Sequence, residues 1–80
     1  MSHGRLEQLI KMINQIARNN PCNGDDNASA EVVLNHVRKF WAKPMKQDII
    51  AHLEQGGEGL DPVAMEAVRS LQAARKTESS

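Results

Sequence analysis

The sequence has few of the residues that usually support chemistry or membrane contact. Its single cysteine is Cys22, its only aromatic residues are the adjacent Phe40 and Trp41, and it contains no tyrosine. One cysteine cannot form an internal disulfide, which suits a reducing, cytoplasmic environment. No apolar run approaches the roughly 20 residues of a membrane span, and the polar N-terminus lacks the apolar core of a signal peptide. We therefore expect a cytoplasmic protein with no membrane association.

The chain also lacks an excess of charge of either sign. Ten basic and ten acidic residues give a formal net charge of zero. Domains that bind nucleic acid in general are usually strongly basic, and so are segments that bind acidic membrane surfaces. The charge balance therefore argues against both classes of partner.

What the chain does have is enough apolar material for one small core. It contains 80 residues, of which 40% are hydrophobic, and almost all of these are aliphatic. A chain of this size buries roughly 60 to 65% of its unfolded surface and is marginally stable alone. Such domains often gain stability by docking on another molecule.

Hydrophobic spacing and chain breakers predict an all-α, bundle-like single domain over 1–80. We expect four short helices at about 5–19, 28–42, 44–55 and 62–75, and a disordered polar tail at 76–80. Prolines and a Gly-Gly pair separate these segments, and no segment alternates as a strand does. The second helix should begin near Asn27 or Ser29, and Asp61 should cap the fourth, with Leu60 packed on Met65.

The apolar residues at helical spacing predict which faces form the core. In chain order they are Leu6, Leu9, Ile10, Ile13, Ile16, Ala17, Ala30, Val33, Leu34, Val37, Phe40, Trp41, Met45, Ile49, Ile50, Leu53, Ala64, Ala67, Val68, Leu71 and Ala74.

No motif for catalysis, cofactor binding or metal binding is visible. His3, His36, His52 and Cys22 form none of the paired spacings that chelate a metal, and nothing places the thiol beside a base. The glycine-rich stretch 56–59 is not followed by the Lys-Ser/Thr of a phosphate-binding loop. We therefore predict no catalytic, cofactor-binding or metal-binding residue in this chain.

A basic cluster surrounds the two aromatic residues. Arg38 and Lys39 lie near a predicted helix C-terminus, where cations are favourable, but Lys43 and Lys46 lie at a helix start, where each opposes the helix dipole by roughly 0.3 to 1 kcal/mol. Lys46 also falls inside the apolar arc of the third helix. These lysines could simply extend to solvent along a helix edge.

Alternatively, this junction faces an acidic, partly apolar surface of a partner protein. The predicted interface then consists of Arg38, Lys39, Trp41, Lys43, Met45 and Lys46, with the tryptophan and the methionine as anchors. Nucleic-acid binding through the same cluster, in a helix–turn–helix arrangement, stays open as an alternative.

Three sequence blocks resemble a known family. They are residues 12–17 (MINQIA), residues 35–46 (NHVRKFWAKPMK) and residues 56–62 (GGEGLDP). In this order they are similar to the delta subunit of NAD-dependent formate dehydrogenases, and the resemblance covers about Leu9 to Leu71.

The resemblance implies a non-catalytic accessory subunit of a cytoplasmic enzyme complex. The complex would contain a molybdenum cofactor, iron–sulfur clusters, FMN and NAD, none of them bound by this chain. Its partner would be the large (alpha) subunit, on which it would dock to support assembly or stability. Two alternatives remain: a stand-alone helical regulatory or nucleic-acid-binding module, and a chaperone for insertion of the molybdenum cofactor.

Overall fold

The computed structural model describes the backbone of residues 3–79 and the side chains of residues 4–74. This part of the chain contains four α-helices: α1 (His3–Asn19), α2 (Asp26–Phe40), α3 (Lys43–Glu54) and α4 (Pro62–Ser79), with a short 3-10 turn at Cys22–Gly24 and no strand. The predicted all-α class is confirmed.

Two helix ends differ from the prediction. Helix α4 continues to Ser79, past its predicted end near residue 75, because the polar tail contains no glycine or proline to stop it. Within the predicted disordered tail, the backbone of residues 76–79 is described and helical, whereas Ser80 lies outside the described residues. Helix α2 ends at Phe40, two residues early.

The core consists of aliphatic side chains from all four helices together with one aromatic ring. Helix α2 packs most extensively on α4, and α1 and α3 lie against this pair. The buried apolar residues are Leu9, Ile13, Ala17, Ala30, Val33, Val37, Trp41, Ile49, Ile50, Leu60, Ala64, Ala67, Val68 and Leu71. The predicted apolar faces therefore form the core, with Phe40 as the main exception.

The link between α1 and α2 is held by side chains that bind backbone groups. Asn20 donates its amide to the last turn of α1 over 2.8 Å, and the buried Ser29 hydroxyl donates to the Asn20 carbonyl over 2.6 Å. Asp25 caps α2 by accepting from the N–H groups of Asn27 and Ala28 at 3.1 and 3.2 Å. Helix α2 therefore begins one residue before the predicted Asn27 and three before the predicted Ser29, which lies inside the helix.

The junction between α2 and α3 is only two extended residues long. Trp41 caps α2 with φ −85° and ψ 136°, and its N–H still donates to the Val37 carbonyl over 3.0 Å. Ala42 is extended as well, and α3 then begins with Pro44 in its first turn, where a missing N–H is harmless. Because α2 ends after Phe40, the side chain of Trp41 lies in the core.

Helix α3 ends in two glycines with left-handed backbones. Gly56 donates to the Leu53 carbonyl and Gly57 to the His52 carbonyl, both over 3.0 Å, which is the Schellman arrangement. Gly57 is buried at φ +67°, and a Cβ there would lie 3.1 Å from the Met65 side chain. The left-handed backbone therefore favours glycine at this position, and an added Cβ would also crowd the Met65 and Leu53 side chains.

The loop from Gln55 to Asp61, hereafter the α3–α4 loop, is clamped by α1. The Asn14 amide donates to the Gly59 carbonyl over 2.8 Å, and its oxygen accepts from the Asp61 N–H over 2.9 Å. Arg18 adds a two-point ion pair to the Asp61 carboxylate, at 2.9 and 3.4 Å. Two of the three sequence blocks therefore meet at this point, through bonds that span 45 and 47 residues of the chain.

Candidate docking surface at the junction of α2 and α3

The cations at the α2–α3 junction are not balanced by acidic neighbours. No acidic residue occurs between Glu31 and Asp48 in the sequence, although four basic residues do. The ion pairs among the described side chains are Arg5–Asp48, Arg18–Asp61 and Arg69–Glu66, and none of them involves the junction. We call Arg38, Lys39, Lys43 and Lys46 the basic junction.

Lys46 has a local partner that the sequence did not reveal. Its ammonium group donates to the Arg38 carbonyl over 3.0 Å, so it caps the C-terminal end of α2, where positive charge is favourable. This bond explains why a half-buried lysine occupies the apolar arc of α3. Lys43 has no comparable hydrogen bond among the described side chains, and it is exposed.

Part of the basic junction forms one wall of a groove between α2, α3 and α4. The groove has a volume of about 370 Å³. Its floor is aliphatic and its rim is polar; the lining residues are Arg38, Lys43, Lys46, Gln47, Ile50, Leu71 and Ala74. Three of the six predicted interface residues therefore lie around one depression.

The predicted anchor Trp41 lies in the core. Only 5% of its surface is exposed, whereas 72% of Phe40 is exposed. The sequence predicted both rings on the core face and Trp41 also as an interface anchor. The core prediction is confirmed for Trp41 and wrong for Phe40, because α2 ends between the two residues and their side chains diverge. The Trp41 Nε1 group is buried and has no hydrogen-bond partner among the described residues.

Phe40 replaces Trp41 as the exposed aromatic residue of the junction. Its ring lies 4.8 Å from that of His36, tilted by 43°, and the same face of α2 carries the partly exposed Val32. Aromatic residues and arginine are enriched in protein interfaces, so an exposed ring in a stretch of cations without carboxylate partners indicates a candidate contact surface.

The other two predicted interface residues lie apart from the groove. Met45 is half-buried and packs on the core. It lines a separate depression of about 380 Å³ against α1, together with Arg5, Gln8, Leu9, Met12, Ala42 and Pro44. Lys39 is exposed and lines neither depression. Of the six residues, three therefore line the groove, Met45 lines a second depression, Lys39 lies on the surface outside both, and Trp41 lies in the core.

The described candidate metal ligands, His36, His52 and Cys22, lie in three different settings. Within the described residues, no three His, Cys, Asp or Glu side chains come together in a way that could hold a metal ion. His52 donates from Nε2 to the Glu58 carbonyl over 2.6 Å, and the His36 ring lies tilted beside that of Phe40. Cys22 is half-buried in the 3-10 turn, and the His3 side chain lies outside the described part.

Comparison with known protein families gives a clear match. Residues 8–68 match the family described as NADH-dependent formate dehydrogenase delta subunit, FdsD. This match covers more than half of the chain, so the protein belongs to that family. No curated protein and no solved structure matches the chain. None of the helices described here is both long enough and apolar enough to cross a membrane.

Proposed function

We propose that this chain is a non-catalytic accessory subunit that docks on the large subunit of a cytoplasmic, NAD-dependent formate dehydrogenase and supports its assembly or stability. The molybdenum cofactor, iron–sulfur clusters, FMN and NAD would then be held by the other subunits. The observation that carries the proposal is the α2–α3 junction of a member of this family, where one short stretch carries cations without a carboxylate partner and an exposed phenylalanine.

The physical argument is that this surface is unfavourable without a partner. An exposed phenylalanine leaves apolar area in water, at a cost of roughly 25 cal/mol per Å² that burial would recover. Lys43 at the start of α3 opposes the helix dipole. A docked surface that covers the ring and supplies carboxylates would remove both penalties. Trp41, by contrast, contributes by holding the two helices that present this face.

The test is co-purification of the large subunit with the tagged full chain. Phe40→Ala should reduce the recovered large subunit severalfold, while helicity by circular dichroism stays unchanged because the ring lies outside the core. Val32→Ala, 37% exposed two turns away on the same face of α2, tests how far the contact extends, and Lys11→Ala, at an exposed position of α1, is the control. Unchanged subunit stoichiometry with Phe40→Ala would remove this ring from the docking surface.

A further inference from the structure

We infer that the groove between α2, α3 and α4 binds a short acidic segment of the larger subunit, in which an aliphatic side chain is flanked by carboxylates. This inference rests on the proposed docking function and specifies the chemistry of the partner. Its basis is the combination of a cationic rim with an aliphatic floor in one depression.

The cationic rim of the groove favours a negatively charged ligand. Arg38 and Lys43 line the groove, and no carboxylate among the described side chains lies within ion-pair distance of either. A guanidinium group can bind a carboxylate through two parallel hydrogen bonds, and an ammonium group can bind a second one. Two carboxylates would therefore neutralise the two free cations of the rim.

Lys46 and Gln47 give the rim its shape. The 3.0 Å bond from Lys46 to the Arg38 carbonyl holds this lysine close to the end of α2, so less side-chain freedom is lost when a ligand binds. Gln47 adds an amide that can both donate to and accept from the backbone of a bound peptide. The rim thus offers charge together with neutral hydrogen-bonding groups.

The apolar floor of the groove favours a ligand with an aliphatic side chain. Ile50 and Leu71 are 6% and 7% exposed, and the half-buried Ala74 completes the floor. A free inorganic anion would leave this apolar surface uncovered. Single-stranded nucleic acid is bound by aromatic rings on which bases stack, and the lining contains none. An acidic peptide with one Leu, Ile or Val satisfies both the rim and the floor.

The size of the groove limits the occupant. Its volume of about 370 Å³ lies near the lower end of the range of roughly 300 to 1,000 Å³ that is usual for ligand pockets. The occupant is therefore a short segment of the partner rather than a folded element. The exposed Phe40, which does not line the groove, would contact a different part of the same partner.

The first experiment identifies what lies in the groove. A photo-crosslinking phenylalanine is placed at position 47 of the full chain, which is then bound to formate dehydrogenase prepared without this subunit and irradiated. Mass spectrometry should find a large-subunit peptide with at least two Asp or Glu residues and an aliphatic residue between them. The same group at the exposed Lys11 position on α1 is the control and should not label that peptide.

The second experiment measures the affinity for the same preparation. The Arg38→Glu/Lys43→Glu variant should weaken binding roughly 10- to 100-fold and flatten its salt dependence. Lys39→Glu, which reverses a neighbouring charge outside the groove, should have less than about a threefold effect, and Lys11→Glu none. Circular dichroism checks that each variant stays folded.

The outcomes separate the groove from the general docking function. Wild-type chain that fails to bind the large subunit would overturn both proposals. Binding that persists in the double variant, a crosslink to a segment without carboxylates, or an equal effect of Lys39→Glu would overturn the groove alone. Crosslinking of position 47 to co-purified nucleic acid would assign the groove to that ligand and also contradict the inference.

Discussion

At the α3–α4 loop, polar side chains bind other parts of the same chain, whereas at the α2–α3 junction they face solvent. Asn14 donates to and accepts from the loop backbone, and Arg18 pairs with Asp61. Arg38 and Lys43 have no carboxylate partner among the described side chains. Both regions contain residues of the sequence blocks that resemble the family. The blocks at residues 12–17 and 56–62 stabilise the fold, whereas the block at residues 35–46 leaves its charged side chains available. The presence or absence of a partner within the chain therefore distinguishes residues that hold the fold from residues available to another molecule more clearly than the presence of a motif does.

The largest effect should come from the one junction residue that belongs to the core. Trp41→Ala should lower the free energy of unfolding by about 3 to 5 kcal/mol, because it empties a buried ring site. In a domain of marginal stability this loss should abolish much of the helicity, as measured by urea denaturation followed by circular dichroism. Trp41→Phe should cost much less, because it keeps a ring and removes an unpaired buried N–H group. Equal losses in the two variants would contradict this account.

An intermediate effect should come from breaking the clamp on the α3–α4 loop. Asn14→Ala should cost about 1 to 3 kcal/mol, because it leaves two backbone groups of the loop without their side-chain partner. The exposed neighbour Gln15→Ala is the control and should change stability by less than about 0.5 kcal/mol. Affinity for the large subunit, measured on the folded fraction of Asn14→Ala, should match the wild type. A selective loss of affinity would place the loop in the interface.

The smallest effect on stability, and one of opposite sign, should come from Lys43. Lys43→Glu should stabilise the isolated chain by on the order of 1 kcal/mol, because it places an acidic residue in the first turn of α3. The same variant should bind the large subunit less tightly. Thermal denaturation and a binding titration on one preparation measure both quantities. A variant that is destabilised, or that binds normally, would place Lys43 among the structural residues.

Most of the fold could be predicted from the sequence because its signals are local. Helical spacing of aliphatic residues identified faces such as Ile13, Val33 and Val68, which the structure buries. Proline and Gly-Gly marked the helix boundaries to within a few residues. The neighbours Phe40 and Trp41 could not be separated in this way, because their exposure depends on which residue ends α2. A shift of two residues in the end of α2 therefore changes which of the two rings lies in the core.

Contacts between distant parts of the chain explain what the sequence did not reveal. The bonds from Asn14 to the α3–α4 loop span 45 and 47 residues, so no periodic pattern could indicate them. Lys46 looked misplaced in an apolar arc because its partner, the Arg38 carbonyl, belongs to the preceding helix. The basic junction itself was visible in the sequence as four cations without an acidic neighbour. Only the structure shows that Arg38, Lys43 and Lys46 line a groove while Phe40 is exposed outside it.

Lysine footprinting of the assembled complex tests the docking surface most directly. The full chain is labelled with an amine-reactive reagent alone and after assembly with the large subunit, and modification of Lys43 is compared with that of Lys11, both of which are exposed in the free chain. We expect modification of Lys43 to fall at least severalfold on assembly, while Lys11 is labelled equally in both states. Equal labelling of Lys43 in the free and assembled chain would contradict docking through the α2–α3 junction.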